Sequence, residues 1–149
     1  MKVNFQIGQC RISADVARTE TFYRVQPKHT ELCNCPLCSY YEHTVITKPV
    51  KVFEILTKMG VDLSRHDKDD VETVWHIGER VKFRNSYLVF YKVFGQINKL
   101  SKKTAQYNSG GQMSVEFIEN EPDSVTKYSF TQVDEETIDV RIEIECDRK

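Results

Sequence analysis

The stretch HTELCNCPLCSYYEH, residues 29–43, places Cys33, Cys35 and Cys38 within six positions and sets His29 and His43 on either side. Thiolates and imidazoles hold Zn2+ tetrahedrally, and three thiolates with one imidazole make a complete structural ligand set. His29-x3-Cys33-x-Cys35-x2-Cys38 supplies that set in linear order, with Cys35 and Cys38 at the C-x2-C spacing of a zinc turn. His43 is the alternative to His29 for the fourth place. The second, separated ligand pair of the strongest zinc motifs is missing; only His43, His66, His76, Cys10 or Cys146 could close the sphere from elsewhere in the chain.

Two other chemistries fit the same residues. Cys35-Pro36-Leu37-Cys38 lies just before a helical segment, and a helix N-terminus favours the reactive thiolate of a redox pair. Against that, dithiol motifs of this kind follow a strand in a βαβ setting, and VQPKHTEL does not read as a buried strand. In the remaining reading the three thiols are small, semi-apolar side chains that pack a turn. The chain has five cysteines, an odd number, and its N-terminus alternates in polarity where an export signal would be apolar. A disulfide framework is therefore not expected, and the chain is placed in the cytoplasm.

Other residues could do chemistry but carry less. In VWHIGER, His76 and Glu79 could act as an acid–base pair, yet a strand histidine and a turn glutamate explain them better. His66 beside DKDD lacks the spacing of a calcium loop and reads as part of a solvated loop. NSGG has no phosphate-loop Lys-Ser/Thr. The aromatics of YLVFYKVF could line a ligand groove on the sheet, but their alternation fits core positions of a half-buried strand.

The elements that must position these groups follow from periodicity. KVNFQIGQCRISA alternates on both sides of Gly8-Gln9, as a hairpin does. Ser13 or Asp15 can then cap a helix that carries Val16, Thr19, Phe22 and Tyr23 on one side and ends at Pro27. Ser39 to Ile46 reads as one short helix. Thr47 would cap another, with Pro49 in its first turn, a broad apolar face of Val52, Phe53, Ile55, Leu56 and Met59, and Gly60 as its stop. RHDKDD is a charged loop. From Val71 the period changes to two, through VETVWHIGERVKFRN, SYLVFYKVFGQI, QMSVEFIEN, KYSFTQVD and ETIDVRIEIECD, with NKLSKKTAQYNSGG as a polar connection.

The run TELCNCPLCSYYEHTVITKPVKVFEILTKMGVDLS resembles a family of small uncharacterised bacterial proteins of Firmicute and phage type. In that family an N-terminal hairpin and helix lead to Cys-x-Cys-x2-Cys. An aromatic follows, then a helix of the form Pro-x-x-Val-x-x-Phe-x-x-x-x-Gly-[Ile/Val]-Asp. Cys33, Cys35, Cys38, Tyr41, Gly60 and Asp62 match, and Val50 and Phe53 fall close to the helix pattern. The likeness covers residues 1–65. It implies a bacterial or phage origin and carries no activity with it.

The fold expected is α+β: an N-terminal hairpin and helices over about 15–60, packed on a mainly antiparallel sheet over about 71–147, in one domain of residues 1–149. The helical, cysteine-bearing portion is residues 1–65 and the β portion 70–147; halves of that size would have thin cores apart. Eleven acids against four bases from Glu116 to Lys149, and twelve bases against seven acids from Lys48 to Lys103, offer complementary faces within the molecule or an acidic face for a basic partner. At a net charge of -1 no basic footprint for nucleic acid exists, and no apolar run is long enough to span a membrane. The function expected is a small non-enzymatic binding or interaction protein, with a protein partner and a structural Zn2+ at the cysteines. The alternatives are a thiol redox protein or sensor using Cys35 and Cys38, and small-ligand binding in a groove of the sheet.

Overall fold

A computed structural model describes residues 2–8, 10–33, 35–69, 75–78, 84–99, 106–107, 113–122 and 124–147. The elements are β1 (Lys2–Ile7), β2 (Cys10–Asp15), α1 (Val16–Arg24), α2 (His29–Leu32), α3 (Pro36–His43), a 3-10 turn (Val45–Thr47), α4 (Lys51–Lys58), β3 (Trp75–Gly78), β4 (Arg84–Lys99), β5 (Gln106–Tyr107), β6 (Met113–Glu121), β7 (Ser124–Gln132) and β8 (Thr137–Asp147). This is the expected α+β order. The sheet runs β1-β2-β4-β8-β7-β6-β5, with β3 on β4, and every pairing is antiparallel.

The side chains obey the period-two rule. Tyr87, Val89, Tyr91 and Val93 of β4 are buried on the same face as Ile138, Val140, Ile142 and Ile144 of β8 and Tyr128 and Phe130 of β7. That face meets the helices: Tyr41 of α3 and Val52, Phe53 and Leu56 of α4 belong to the same core cluster. On the opposite face the register sets Lys92 across from Asp139 and Lys127 across from Glu143. Lys127 pairs there with Glu116 of β6 (3.5 Å) and Lys92 with Asp67 (3.0 Å), as charges on a water-facing strand surface do.

β4 is the spine, and its outer edge is split. β3 pairs with it at Ser86–Leu88 and β2 at 95–99. Between them, among the described residues, backbone groups of Lys92 and Phe94 face no strand. Helix α1 completes them with side chains. The Tyr23 hydroxyl donates to the Lys92 carbonyl (2.9 Å) and accepts from the Lys92 amide (2.7 Å). The Thr19 hydroxyl accepts from the Phe94 amide (3.2 Å) and donates to the Asp15 carbonyl (2.9 Å). Where β4 outruns β8, Gln132 does the same, accepting from the Ile97 amide (2.7 Å) and donating to the Gly95 carbonyl (3.0 Å). Gly95 is needed there: a Cβ would collide with the Ser13 carbonyl oxygen of β2.

The helices follow local rules, with some shifts from expectation. Asp15 caps α1, accepting from the Arg18 amide (3.1 Å), and α1 ends at Arg24, ahead of Pro27. α4 stops in a Schellman motif: Gly60 at φ 97° donates to the Thr57 carbonyl, and Val61 to that of Leu56. Its start differs from the Thr47 cap expected. Thr47 belongs to the 3-10 turn, and Val50 is the N-cap without a side-chain bond. Pro49 holds the chain extended just before the helix begins, because the residue preceding a proline avoids helical geometry. α3 begins at Pro36, earlier than the Ser39 expected, and breaks at Thr44. β5 falls within the stretch read as a polar connection, and the short α2 was not anticipated. The strand pattern expected at 71–74 and 79–83 lies outside the described residues. Among the described residues no helix is long and apolar enough to cross a membrane.

Removing the Tyr23 hydroxyl orphans both backbone groups of Lys92 at once. Tyr23→Phe is expected to lower unfolding free energy by about 2 kcal/mol with the m-value unchanged, because each buried, unpaired backbone group carries a desolvation cost. Urea denaturation checks this. A loss below about 0.5 kcal/mol would mean that water replaces the hydroxyl without cost.

Candidate functional site

The cysteine turn is held from both ends. Upstream, residues 26–29 are tied to 63–68. The His29 amide donates to the Ser64 carbonyl (3.0 Å), the His66 amide to the Pro27 carbonyl (2.9 Å), and the Lys68 amide to Gln26 Oε1 (2.9 Å). Arg65 also donates to the Gln26 carbonyl. Downstream, Glu42 on α3 reaches back to α2. Its buried carboxylate accepts from the Thr30 amide (3.1 Å) and hydroxyl (3.1 Å). With α2 and α3 linked in this way, the side chains of Cys33 and Cys35 between them converge with that of Cys38.

Cys35 is the N-cap of α3, accepting from the Cys38 amide (Sγ to N, 3.4 Å), and Pro36 occupies the first turn, where its missing N–H costs nothing. The Sγ atoms of Cys33 and Cys35 are 3.3 Å apart, and the Sγ atoms of Cys33, Cys35 and Cys38 all lie within 4.8 Å of one another. Cys38 is buried, while Cys33 and Cys35 are half-exposed. A tetrahedral Zn2+ with Zn–S of about 2.3 Å requires sulfur separations of about 3.8 Å. The Cys33–Cys35 separation of 3.3 Å is close to that value and no separation exceeds 4.8 Å, so the three sulfurs suit such an ion after small adjustment.

The thiols differ electrostatically. The Cys38 amide, then the Cys33 thiol, bond to the Cys35 sulfur and pull its pKa down to about 7. Burial, reinforced by the two neighbouring sulfurs, pushes Cys38 up to about 12. A solvent-facing, readily ionised thiol thus sits one helical turn from a buried, protonated one.

The histidines expected to complete the set are placed elsewhere. Among the described residues no imidazole or carboxylate joins the three sulfurs. His29 is fully buried, its Nε2 donating to the Leu63 carbonyl (2.8 Å). A carbonyl only accepts, so the proton is on Nε2 and Nδ1 is bare; Nδ1 has no hydrogen-bond partner. The ring packs edge-on against Tyr41 (5.3 Å) and Tyr91 (6.1 Å) and tilted against His66 (5.5 Å). His43 is exposed, its Nε2 3.4 Å from a Glu42 oxygen. Cys10 and Cys146 are buried in the sheet, and no cysteine is in a disulfide. The side chains of His76 and Glu79 lie outside the described residues.

His66 departs from its reading as part of a solvated loop: it is 1% exposed. Asp67 pairs with Lys92 (3.0 Å) and Lys68 and Asp69 face water, while the histidine turns inward onto His29. Beneath it, Tyr41 donates to Tyr91 (2.6 Å) and Tyr91 to the Leu63 carbonyl (2.6 Å), so this one carbonyl gathers α2, α3 and β4. Sequence reasoning missed Glu42, and it marked Tyr41 only as the aromatic of the family resemblance, without this role. Their signal was positional: they follow Cys38 by four and three residues on α3 and share its inward side.

The helix-facing side of the sheet is filled by core side chains. On its outer side a shallow cleft of about 220 Å³ is lined by Ile118, Val125, Lys127, Glu143 and others. A larger cleft of about 640 Å³ lies on the helical side, where Glu20, Arg24, Asp62 and Arg65 mix with Tyr23 and Leu63.

Burial holds the His29 pKa down to about 4, from 6.5. The folded protein therefore excludes a proton that the unfolded chain accepts. Stability is complete above about pH 6.5, falls as pH drops toward about 4, and levels off below that. The total loss from this residue is up to about 3 kcal/mol. Asp62 and Asp67 add to the acid loss at lower pH. Partial burial alone would raise both, but hydrogen bonds from Ser64 to Asp62, and from the Asp69 amide and Lys92 to Asp67, hold them below the usual carboxylate range. Denaturant unfolding between pH 7 and pH 4.5 should show the first decline. His29→Gln, whose amide can still donate to Leu63, should flatten it; an unchanged slope would acquit His29.

No protein-family model, no curated protein and no solved structure matches this chain, so the thiol group is judged on its own geometry.

Proposed function

We propose that this chain is a small, non-enzymatic binding protein whose Cys33, Cys35 and Cys38 thiolates hold a Zn2+ ion. The observation that carries this reading is the convergence of the three Sγ atoms within 4.8 Å on a turn that α2 and α3 close. The ion's role is structural: it would replace the sulfur–sulfur contact with bonds that lock the two helices together. Its uptake displaces thiol protons, most of all from Cys38, so affinity weakens as pH falls.

Protein purified without a histidine tag should contain about one zinc per chain by elemental mass spectrometry. Cys38→Ser should remove the zinc and lower thermal stability. Zinc-free wild type with five titratable thiols and unchanged stability on Cys38→Ser would reject the metal site.

A second reading draws on a separate observation. Cys35 caps a helix as a half-exposed, readily ionised thiol, and Cys38 lies buried one turn on, which is the division of labour of a redox dithiol. In metal-free protein, Cys35 should alkylate with iodoacetamide at a rate that is half-maximal near pH 7, while Cys38 stays protected. Redox function further requires a reversible Cys35–Cys38 disulfide, seen as a two-dalton mass loss that reductant reverses. Zinc that fully blocks alkylation, with no disulfide under mild oxidant, favours the structural metal.

A further inference from the structure

The metal reading leaves one question about coordination. Three thiolates fill three tetrahedral positions, and a structural zinc site is normally closed by a fourth protein ligand. Both histidines that flank the cysteines are committed elsewhere. His29 Nε2 bonds to the Leu63 carbonyl within a packed aromatic cluster, and His43 points into solvent beside Glu42. The triad is also lopsided. Cys38 is buried, whereas Cys33 and Cys35 are half-exposed, so two of the three thiol residues reach the surface. Two leucines next to them in the chain reach it as well: Leu32, just before Cys33, is 41% exposed, and Leu37, just before Cys38, is 39% exposed.

Charge selects the donor. Three thiolates on a divalent ion leave a net negative charge, and the buried carboxylate of Glu42 lies one turn along α3 from Cys38. A fourth thiolate or a carboxylate would add another negative charge to a half-buried site. A neutral imidazole adds none.

Resting on the zinc reading above, we propose that the fourth position is filled from outside this chain, by a histidine of a partner protein whose apolar flanks cover Leu32 and Leu37. The site then works as a metal-bridged docking point. The three thiolates fix the ion, and the partner's imidazole closes its coordination and seals the exposed edge.

Cobalt(II) tests this, because it takes the zinc geometry and reports its ligands by colour. The Co2+-loaded full chain is titrated with imidazole, with the blocked peptide Leu-His-Leu and with 2-mercaptoethanol, in wild type and in a His43→Ala/His76→Ala variant. Sulfur-to-cobalt charge-transfer bands should appear with metal alone. Imidazole and the peptide should then shift the visible bands saturably in both proteins, the peptide at about tenfold lower concentration, since partial burial of leucine contributes at least that factor. Leu32→Ser/Leu37→Ser should abolish the peptide's advantage and leave the imidazole response intact. Visible bands that ignore all three additives, or that change on losing His43 or His76, would show a fourth ligand within the chain and overturn the proposal. A thiol that outcompetes imidazole would overturn the choice of donor, and a peptide no better than imidazole would overturn the partner. Failure of the zinc reading looks different: no charge-transfer bands form at any stage.

Discussion

The structure depends on how β4 finds partners for its backbone. This strand is sixteen residues long and lies next to β8 on one side, but among the described residues no strand of matching length lies on the other. A long buried strand with unpaired amides and carbonyls would be unstable and prone to pair with other chains. Here β2 and β3 cover the two ends of that edge, and the hydroxyls of Thr19 and Tyr23 cover the interval. Helix α1 is therefore bonded to the sheet as well as packed on it, and this fixes the point from which the rest of the helical layer departs.

From the end of α1 the chain enters a second set of polar constraints. Residues 26–29 bond to residues 63–68, so the entry to α2 and the exit from α4 are held side by side. The Leu63 carbonyl accepts from His29 and Tyr91, and Tyr41 backs up Tyr91. Each of these groups is buried, so each bond forgone would leave a desolvated polar atom. The cost of alternatives specifies one arrangement of α2 and α3 over the sheet. The same burial keeps His29 neutral, which excludes it from the charge-bearing part of the molecule and makes acid the condition that opposes folding.

The convergence of three thiols is a downstream result of those constraints. Glu42 bonded to Thr30 brings α3 back on α2, and Cys35 at the helix N-cap turns its sulfur toward the Cys38 amide and the Cys33 thiol. The proposed functional chemistry rests on residues that never touch the sulfurs, as ligand geometry commonly rests on its supporting bonds. The metal and redox readings share this geometry and differ in what occupies it: an ion between three thiolates, or a bond between two of them.

The α+β order, the terminating Gly60, the Asp15 cap and the alternation of β4, β6 and β8 were legible because each is set by neighbours within a few residues: capping, left-handed φ and period-two burial are local physics. The clustering of Cys33, Cys35 and Cys38 was legible for the same reason, since six residues cannot separate their side chains far. The inward turn of His66, the burial of His29 and the roles of Glu42, Tyr23 and Gln132 were not. Each is decided by a partner between 12 and 69 residues away, whose unsatisfied backbone or carboxylate becomes visible only once the chain has closed on itself. By itself the sequence determined the α+β order of the main elements and that three thiols lie together. Only the tertiary structure decided that the adjacent histidines stay apart from those thiols, because a buried carbonyl and an aromatic cage claim His29 and solvent claims His43.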